Sequence, residues 1–580
     1  MFNAKNVWKE RMLSVLNGLL EEYGLAEKLT IEKIIVEKPP KPEMGDIAFP
    51  MFPYAKLFRK GPPQIASAAA ANLNEAFRGG AAEEAGPYVN LRLERGAAAQ
   101  AILDAVFDED NDFCRSDVLR GHRVMVEFSS PNTNKPLHLG HLRNDVLGES
   151  ISRILAASGA EVYKVCIIND RGIHICKSML AYIEKFNGRT PEDAGKKSDH
   201  FVGDCYVEFN KMLKEDSGAE DRARELLRRW ESGDGETVAL WKMMNGWAVD
   251  GIKETYKRTG ISFDKYYFES ETYLRGKEEV LKGLEKNIFY READGSVWAD
   301  LSAENLDKKA LLRGDGTSLY ITQDFGTAVL RHDDWPFDKL VYVVGSEQRY
   351  HFQVLFTLLS RLGFDWARDL RHLSYGMVNL PEGRMKSREG TVVDADDLID
   401  RLRGMALTEI REKNREEALD NAEDTAESIA LGALHYYLLQ VTPERDMLFN
   451  PAESLSFNGN TGPYLQYMGA RISSILKKES TKNDYSGAAL LSGDAEWELL
   501  KTIAAWPEAV SEAAQSMNPS VITSWAYELS KNFSCFYHEC PILGAESAAL
   551  KAARTALCRA VLRVLKSAFS LICIPFLESM

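Results

Sequence analysis

The chain has 580 residues, too many for one hydrophobic core, and that length alone implies roughly three or four domains. Apolar residues make up 45% and charged residues 27%, as in an ordinary globular protein, while a formal net charge of −15 excludes an indiscriminate nucleic-acid coat protein. A nucleic-acid partner is compatible with that charge only through a local basic face.

Residues 5–23 place apolar side chains at helical spacing among Lys5, Lys9, Glu10 and Arg11, which reads as an amphipathic helix and not a secretory leader. A strand over 29–37, a proline-rich loop over 39–46, a helix over 63–77 and a strand over 88–93 follow, so residues 1–118 are expected to form an N-terminal α+β domain. From 119 to 404 short apolar strands alternate with helices, the pattern of a multidomain α/β protein with a Rossmann-like parallel sheet. The expected strands are 124–128, 162–168, 340–344 and 373–378. The long, charged, helical interval of about 187–312 is too long for one crossover and is read as an insertion between two halves of the sheet. Residues 405–580 are helix-patterned almost throughout and predict an all-α bundle. The apolar stretch 567–576 is too short to span a bilayer and contains Pro575, so no membrane association and a cytoplasmic location are expected. Eight scattered cysteines form no Cys-x-x-Cys pair, which disfavours a zinc ribbon and suggests reduced, buried thiols.

Chemistry concentrates after the first sheet strand, in Ser129-Ser130-Pro131-Asn132-Thr133-Asn134-Lys135-Pro136-Leu137-His138-Leu139-Gly140-His141, just before a helix expected over 144–158. A helix start offers free N–H groups and the positive end of a dipole, Gly140 exposes bare backbone, and His138 and His141 point the same way, three residues apart. Together they suit a nucleotide phosphate. Two other readings of the pair stand beside this one: zinc ligation, although helical zinc pairs sit four apart around a Glu, and ordinary loop histidines.

The His-x-Gly-His string resembles the first signature of class I aminoacyl-tRNA synthetases, and the longer string resembles the arginyl-tRNA synthetases. The resemblance implies an enzyme that activates L-arginine with ATP and Mg²⁺ and transfers it to tRNA(Arg), releasing AMP and pyrophosphate. It implies that His138, His141 and Gly140 hold ATP. Gly383-Arg384-Met385-Lys386-Ser387-Arg388 is similar to the second signature, Lys-Met-Ser-Lys-Ser, in a degenerate form. Arg384, Met385, Lys386 and Arg388 would then meet the phosphates, with Lys135 supplying the charge that the altered loop lacks.

The segment Leu319-Tyr320-Ile321-Thr322-Gln323-Asp324 resembles the family's arginine pocket. Asp324 would take the planar guanidinium, with Tyr320 beside it and Glu127 as a second carboxylate. Ser130, Asn132 and Gln348 would meet the amino and carboxylate ends of the substrate. Such a pocket rejects lysine because buried acceptors stay unpaired, and no editing domain is needed. Gly459-Asn460-Thr461-Gly462-Pro463-Tyr464-Leu465-Gln466-Tyr467, with Arg471, resembles the start of the family's anticodon-binding domain. Tyr464, Gln466, Tyr467 and Arg471 are the expected RNA contacts, with core packing as the alternative for the aromatics. Lys551, Arg554, Arg559, Arg563 and Lys566 form an expected basic helix face. The resemblance also assigns tRNA-corner contacts to the N-terminal domain. No resident metal and a monomer are expected. The rival readings are a cysteine-specific synthetase, which would need a zinc ligand set, and a non-catalytic RNA-binding paralogue.

Overall fold

The computed structural model describes residues 4–108, 112–379, 381, 393–413, 419, 421–479 and 484–580. The chain divides into two compact units, one of residues 1–114, 471–508 and 525–565, the other of 115–470, 509–524 and 566–580.

The first unit contains helices Ala4–Glu22, Pro62–Ala76 and Arg95–Phe107 and an antiparallel sheet of β1 (Ile47–Pro50), β2 (Gly80–Ala85) and β3 (Tyr88–Leu93), ordered β1-β3-β2. Asp46 ties this sheet to helix Asp494–Ala504. Its carboxylate accepts from the Leu93 backbone N–H at 2.9 Å and from Trp497 Nε1 at 2.8 Å. The strand expected over 29–37 does not form. Ile31–Lys33 make a 3-10 turn, and only Glu37 pairs, through one bridge to Ala48. Pro39 and Pro40 follow at once and have no N–H to extend the ladder. The expected basic face of helix Ala548–Leu571 is largely neutralised: Lys551 pairs with Glu479 at 2.5 Å and Arg554 with Glu496 at 2.7 Å, while Arg563 lies 3.8 Å from Asp112.

The second unit is built on a five-stranded parallel sheet. Its strands are β4 (Arg123–Glu127), β5 (Glu161–Ile168), β6 (Lys265–Phe268), β10 (Lys339–Gly345) and β11 (Leu370–Tyr375), ordered β11-β10-β4-β5-β6. Strand order reverses between β4 and β10, and a crevice at the carboxyl ends of the strands on either side is where such sheets bind ligands. Met125, Val165 and Leu340 are completely buried within the sheet. The range expected as an insertion therefore contains a strand of the main sheet. β6, Lys-Tyr-Tyr-Phe, is a half-buried edge strand and lacks the continuous apolar run that marks central parallel strands. Before it come helices Ser198–Glu215, Ala219–Glu231 and Gly235–Thr259. After it come helix Glu269–Glu285 and an antiparallel group of β7 (Tyr290–Arg291), β8 (Val297–Ala299) and β9 (Lys309–Leu312). The last expected strand, 373–378, is split: β11 ends at Tyr375, and a two-residue β12 (Val378–Asn379) pairs in parallel with β13 (Met447–Leu448).

Helix Glu269–Glu285 crosses helix Tyr320–Asp334 backbone to backbone. A Cβ on Gly276 would come within 1.8 Å of the Thr322 carbonyl oxygen, and one on Gly326 within 2.3 Å of the Gly276 nitrogen. This close crossing fixes the helix that carries Tyr320 and Asp324.

Candidate active site

The helix expected from residue 144 begins at Leu139, because His138 caps it. His138 Nδ1 accepts from the backbone N–H of Gly140 at 3.1 Å and of His141 at 3.4 Å, while His141 Nδ1 accepts from the His138 N–H at 3.1 Å. The two rings pack against each other at a tilt of 31°, with centroids 3.8 Å apart. With both Nδ1 atoms accepting, each neutral ring carries its proton on Nε2. Burial, with the Lys135 charge adding to it, pushes the His138 pKa down to about 4; burial, His138 and Lys135 push His141 well below the usual histidine range. Two neutral Nε2–H donors therefore stand side by side.

This corrects one part of the sequence reading. The helix start offers no free backbone N–H groups in its first turn. Leu139 donates to Val393 O at 3.1 Å, Gly140 and His141 donate to the His138 ring, and Leu142 donates to His138 O at 3.0 Å. Gly140 is also needed for another reason than the one expected, since a Cβ there would lie 3.0 Å from the His138 ring. The imidazoles, and not the backbone, are left to face an anion.

The loop before His138 is held under strain. Ser129 and Ser130 both adopt left-handed backbone angles, φ 77° and 53°. Asn144 fixes this turn: its Oδ1 accepts from the Ser129 N–H at 2.5 Å, and its Nδ2 donates to Val343 O and Tyr375 Oη. Asn169, at the end of β5, donates to Ser130 O at 3.1 Å and bridges to Asn132. Asn132 is exposed. A cleft of about 530 Å³ is lined by Asn132, Asn134, Lys135 and His138 on one side and by His174, Lys196, Lys197, His200 and Tyr206 on the other. Lys135 is half-buried, burial lowers its pKa, and no carboxylate pairs with it among the described residues. Arg384, Met385, Lys386 and Arg388 lie outside the described residues. The chain re-enters at Val393–Ala395, which pairs with Leu137–Leu139 through Leu139 N to Val393 O and Ala395 N to Leu137 O.

A group of carboxylates gathers near the end of β4. Asp324 Oδ2 is 2.6 Å from His351 Nε2, and Tyr320, at the first turn of the same helix, is 78% exposed. Gln348 is also exposed, in the turn after β10. Glu127 is buried, with Arg331 on its Oε2 and Ser130 Oγ 3.4 Å from its Oε1. Burial raises the Glu127 pKa, against the pull of Arg331, and Asp324 raises it further. Glu269 is pushed up to about 7 by burial, with Asp170 and Asp324 adding to the rise and Arg171 opposing it. Asp170 itself is held by the Ser270 N–H at 2.9 Å and Ser270 Oγ at 2.6 Å. Arg331 and Glu269 were not singled out from sequence. Only the acidic start of helix Glu269–Glu285 hinted at Glu269.

Among the described residues Asp199, His200 and Asp396 bring ligand-type atoms within 4.8 Å of one another. Their carboxylates already hold cations, with Lys197 at 3.1 Å from Asp199 and 2.8 Å from Asp396, and Arg258 at 3.2 Å from Asp396.

The expected RNA contacts separate. Tyr464, Tyr467 and Arg471 are half-buried on helix Gly462–Lys477. Gln466 is 0% exposed and donates from Nε2 to Ser428 O and Pro575 O, both at 2.9 Å, so it cannot reach RNA. A Cβ on Gly462 would come 2.1 Å from Gly432 O. Gly462 and Gln466 of this motif thus serve the close packing of helix Gly462–Lys477 on helix Ala422–Leu439.

A parallel sheet with two adjoining imidazoles after its central strand defines a class I catalytic unit, and residues 104–450 match the family described as tRNA synthetases class I (R), catalytic domain. Residues 7–93 match the arginyl tRNA synthetase N terminal domain and residues 465–580 the DALR anticodon binding domain. The chain is 57% identical to the arginine–tRNA ligase of Treponema denticola over the whole of both chains. It is 55% identical to that of Treponema pallidum subsp. pallidum over 99% of each. The solved arginyl-tRNA synthetase of Thermus thermophilus superposes with a TM-score of 0.82 at 25% identity, covering all of both chains. The chain belongs to the arginyl-tRNA synthetase family.

Proposed function

We propose that the protein is an arginine–tRNA ligase: it activates L-arginine with ATP to arginyl-adenylate and transfers the acyl group to the terminal ribose of tRNA(Arg). The observation that carries this reading is the pair of imidazole donors on the loop after β4, together with the carboxylates of Glu127 at the end of that strand and of Asp324 and Glu269, which lie close enough to act on one another. Attack of a carboxylate on the α-phosphate needs no side-chain nucleophile, only positioning and stabilisation of developing phosphate charge. His138 and His141 would donate from Nε2 to the phosphates of the ATP–Mg²⁺ complex. Lys135, with the residues at 384–388, would meet the departing pyrophosphate.

Asp324 and Glu127 would receive the guanidinium of the substrate, with Tyr320 closing over it. Ser130, Asn132 and Gln348 would hold its amino and carboxylate ends. Lysine, lacking the fork, would leave acceptors unpaired. Glu269 adds a carboxylate whose proton a bound cation would expel. Tyr464, Tyr467 and Arg471 are the proposed RNA contacts, and residues 1–118, 119–404 and 405–580 the functional segments for the tRNA corner, catalysis and the anticodon. Activation is proposed to require bound tRNA, and the enzyme to act as a monomer in the cytoplasm. No helix among the described residues is long and apolar enough to cross a membrane.

Charging of tRNA(Arg) with labelled arginine tests the reading, with lysine and cysteine as competitors. Arginine alone should be attached; attachment of another amino acid, or none by folded protein, would overturn it.

A further inference from the structure

Arg331 lies on the same helix as Asp324, seven residues on, so both project from nearly the same face. It is 1% exposed. Its Nη1 donates to Glu127 Oε2, its Nε and Nη2 find no hydrogen-bond partner among the described residues, and its guanidinium rests over the rings of Tyr267, at 5.2 Å, and Tyr342, at 5.9 Å. The Tyr342 hydroxyl, beside Arg331, also reaches no partner in hydrogen-bond geometry among the described residues. Burying a guanidinium with unused donors against one carboxylate is a poor way to stabilise a core, and apolar residues of similar size often serve better. The arrangement makes sense as a device for the other partner.

We propose that Arg331 is a positioning residue for amino-acid selection: it holds Glu127 ionised by occupying Oε2, and leaves Oε1 for the substrate's cation. This rests on the reading that Glu127 faces the guanidinium. The groups that act on Glu127 are Arg331 and Asp324 from helix Tyr320–Asp334, Tyr342 from β10, Cys166 from β5 and Ser130 from its own loop; Arg331 is the one cation among them. Without it, a carboxyl buried beside Asp324 takes up a proton, and a neutral carboxyl is a weak guanidinium acceptor.

The test is arginine-dependent ATP–pyrophosphate exchange in the presence of tRNA(Arg), with KM for arginine and for ATP followed from about pH 6.5 to about pH 9. Arg331→Met should raise the arginine KM about thirtyfold or more near pH 7, and the defect should shrink about tenfold for each pH unit as Glu127 ionises. KM for ATP should stay within about twofold, and the defect is read as the ratio of variant to wild-type arginine KM at each pH, because the titration of Glu269 near 7 moves both alike. Arg331→Gln, which can still bond Glu127 without charge, is read in its place if Arg331→Met does not fold. An arginine KM that tracks wild type, or that rises by one factor at every pH, overturns the proposal. Glu127→Gln separates the two levels. If it leaves the arginine KM unchanged, the assignment of Glu127 fails; if it raises KM while the Arg331 variants behave like wild type, only the role of Arg331 fails.

Discussion

Asp145 lies on the helix that His138 caps and is 1% exposed, with no hydrogen-bond partner for either carboxyl oxygen among the described residues. Ser129 lies beside it without reaching hydrogen-bond geometry, and Cys166, Tyr256 and Tyr375 are its other polar neighbours. Burial pushes its pKa up from 3.8 to about 8, so at neutral pH the folded protein holds a proton that the unfolded chain has released. The sign follows from linkage. The unfolded state loses this proton above pH 3.8 and the folded state keeps it to about pH 8, so stability falls as pH rises between the two values and is independent of this group outside them. At about 1.4 kcal/mol per pH unit, holding the proton at pH 7 costs about 4 kcal/mol. Asp145→Asn removes the titration. A buried amide that also lacks partners reduces the gain, leaving about 2 kcal/mol at pH 7 and a midpoint higher by a few degrees. The assay is thermal or urea unfolding of the full chain from about pH 4.5 to about pH 8, comparing midpoints of the transition that includes this unit, since two units need not melt together. Asp145→Asn should be slightly less stable than wild type near pH 4.5, by about 1 kcal/mol, and gain on it steadily as pH rises. An offset that is constant with pH would refute the reasoning and show that Asp145 ionises normally.

Asp324→Asn should raise the arginine KM by about 10²- to 10³-fold, the cost of removing one charge from a guanidinium site, with KM for ATP little changed in the same exchange assay. An unchanged arginine KM would remove Asp324 from the pocket. His141→Ala deletes a donor and uncaps the His138 N–H, and kcat for activation should fall by about 10²-fold or more while the arginine KM stays within a few-fold; kcat at the wild-type level would refute the role. Gly276→Ala forces a methyl to within 1.8 Å of the Thr322 carbonyl, so the helix crossing must open, at about 3 kcal/mol or more, and the melting midpoint should fall sharply. A midpoint equal to wild type would mean that the crossing is not close in solution.

The sheet strands β4 and β10 were legible because parallel central strands are continuous apolar runs, β5 through its apolar end at residues 165–168, and the signature loop because its residue types are rare together. β6 was not, since a half-buried edge strand carries no such run. The pairing of Glu127 with Arg331 joins residues 204 apart, and nothing local distinguishes Arg331 from the exposed cations of an amphipathic helix. Gln466 read as a polar RNA contact because sequence shows its chemistry but not the two carbonyls, at Ser428 and Pro575, that bury it. The helix start at Leu139 was missed for a similar reason. A histidine is an uncommon N-cap, and the propensities that mark caps favour Ser, Thr, Asp and Asn. The basic helix near the C-terminus misled because the acids that pair with it, Glu479 and Glu496, lie on earlier segments.

The most direct test of the central claim is ATP–pyrophosphate exchange by the purified full chain with arginine, lysine or cysteine, each with and without tRNA(Arg). Exchange with arginine alone, and only when tRNA is present, is the expected result and ties substrate, reaction and RNA dependence together. Exchange with another amino acid, or no exchange under any condition by folded protein, would contradict the account.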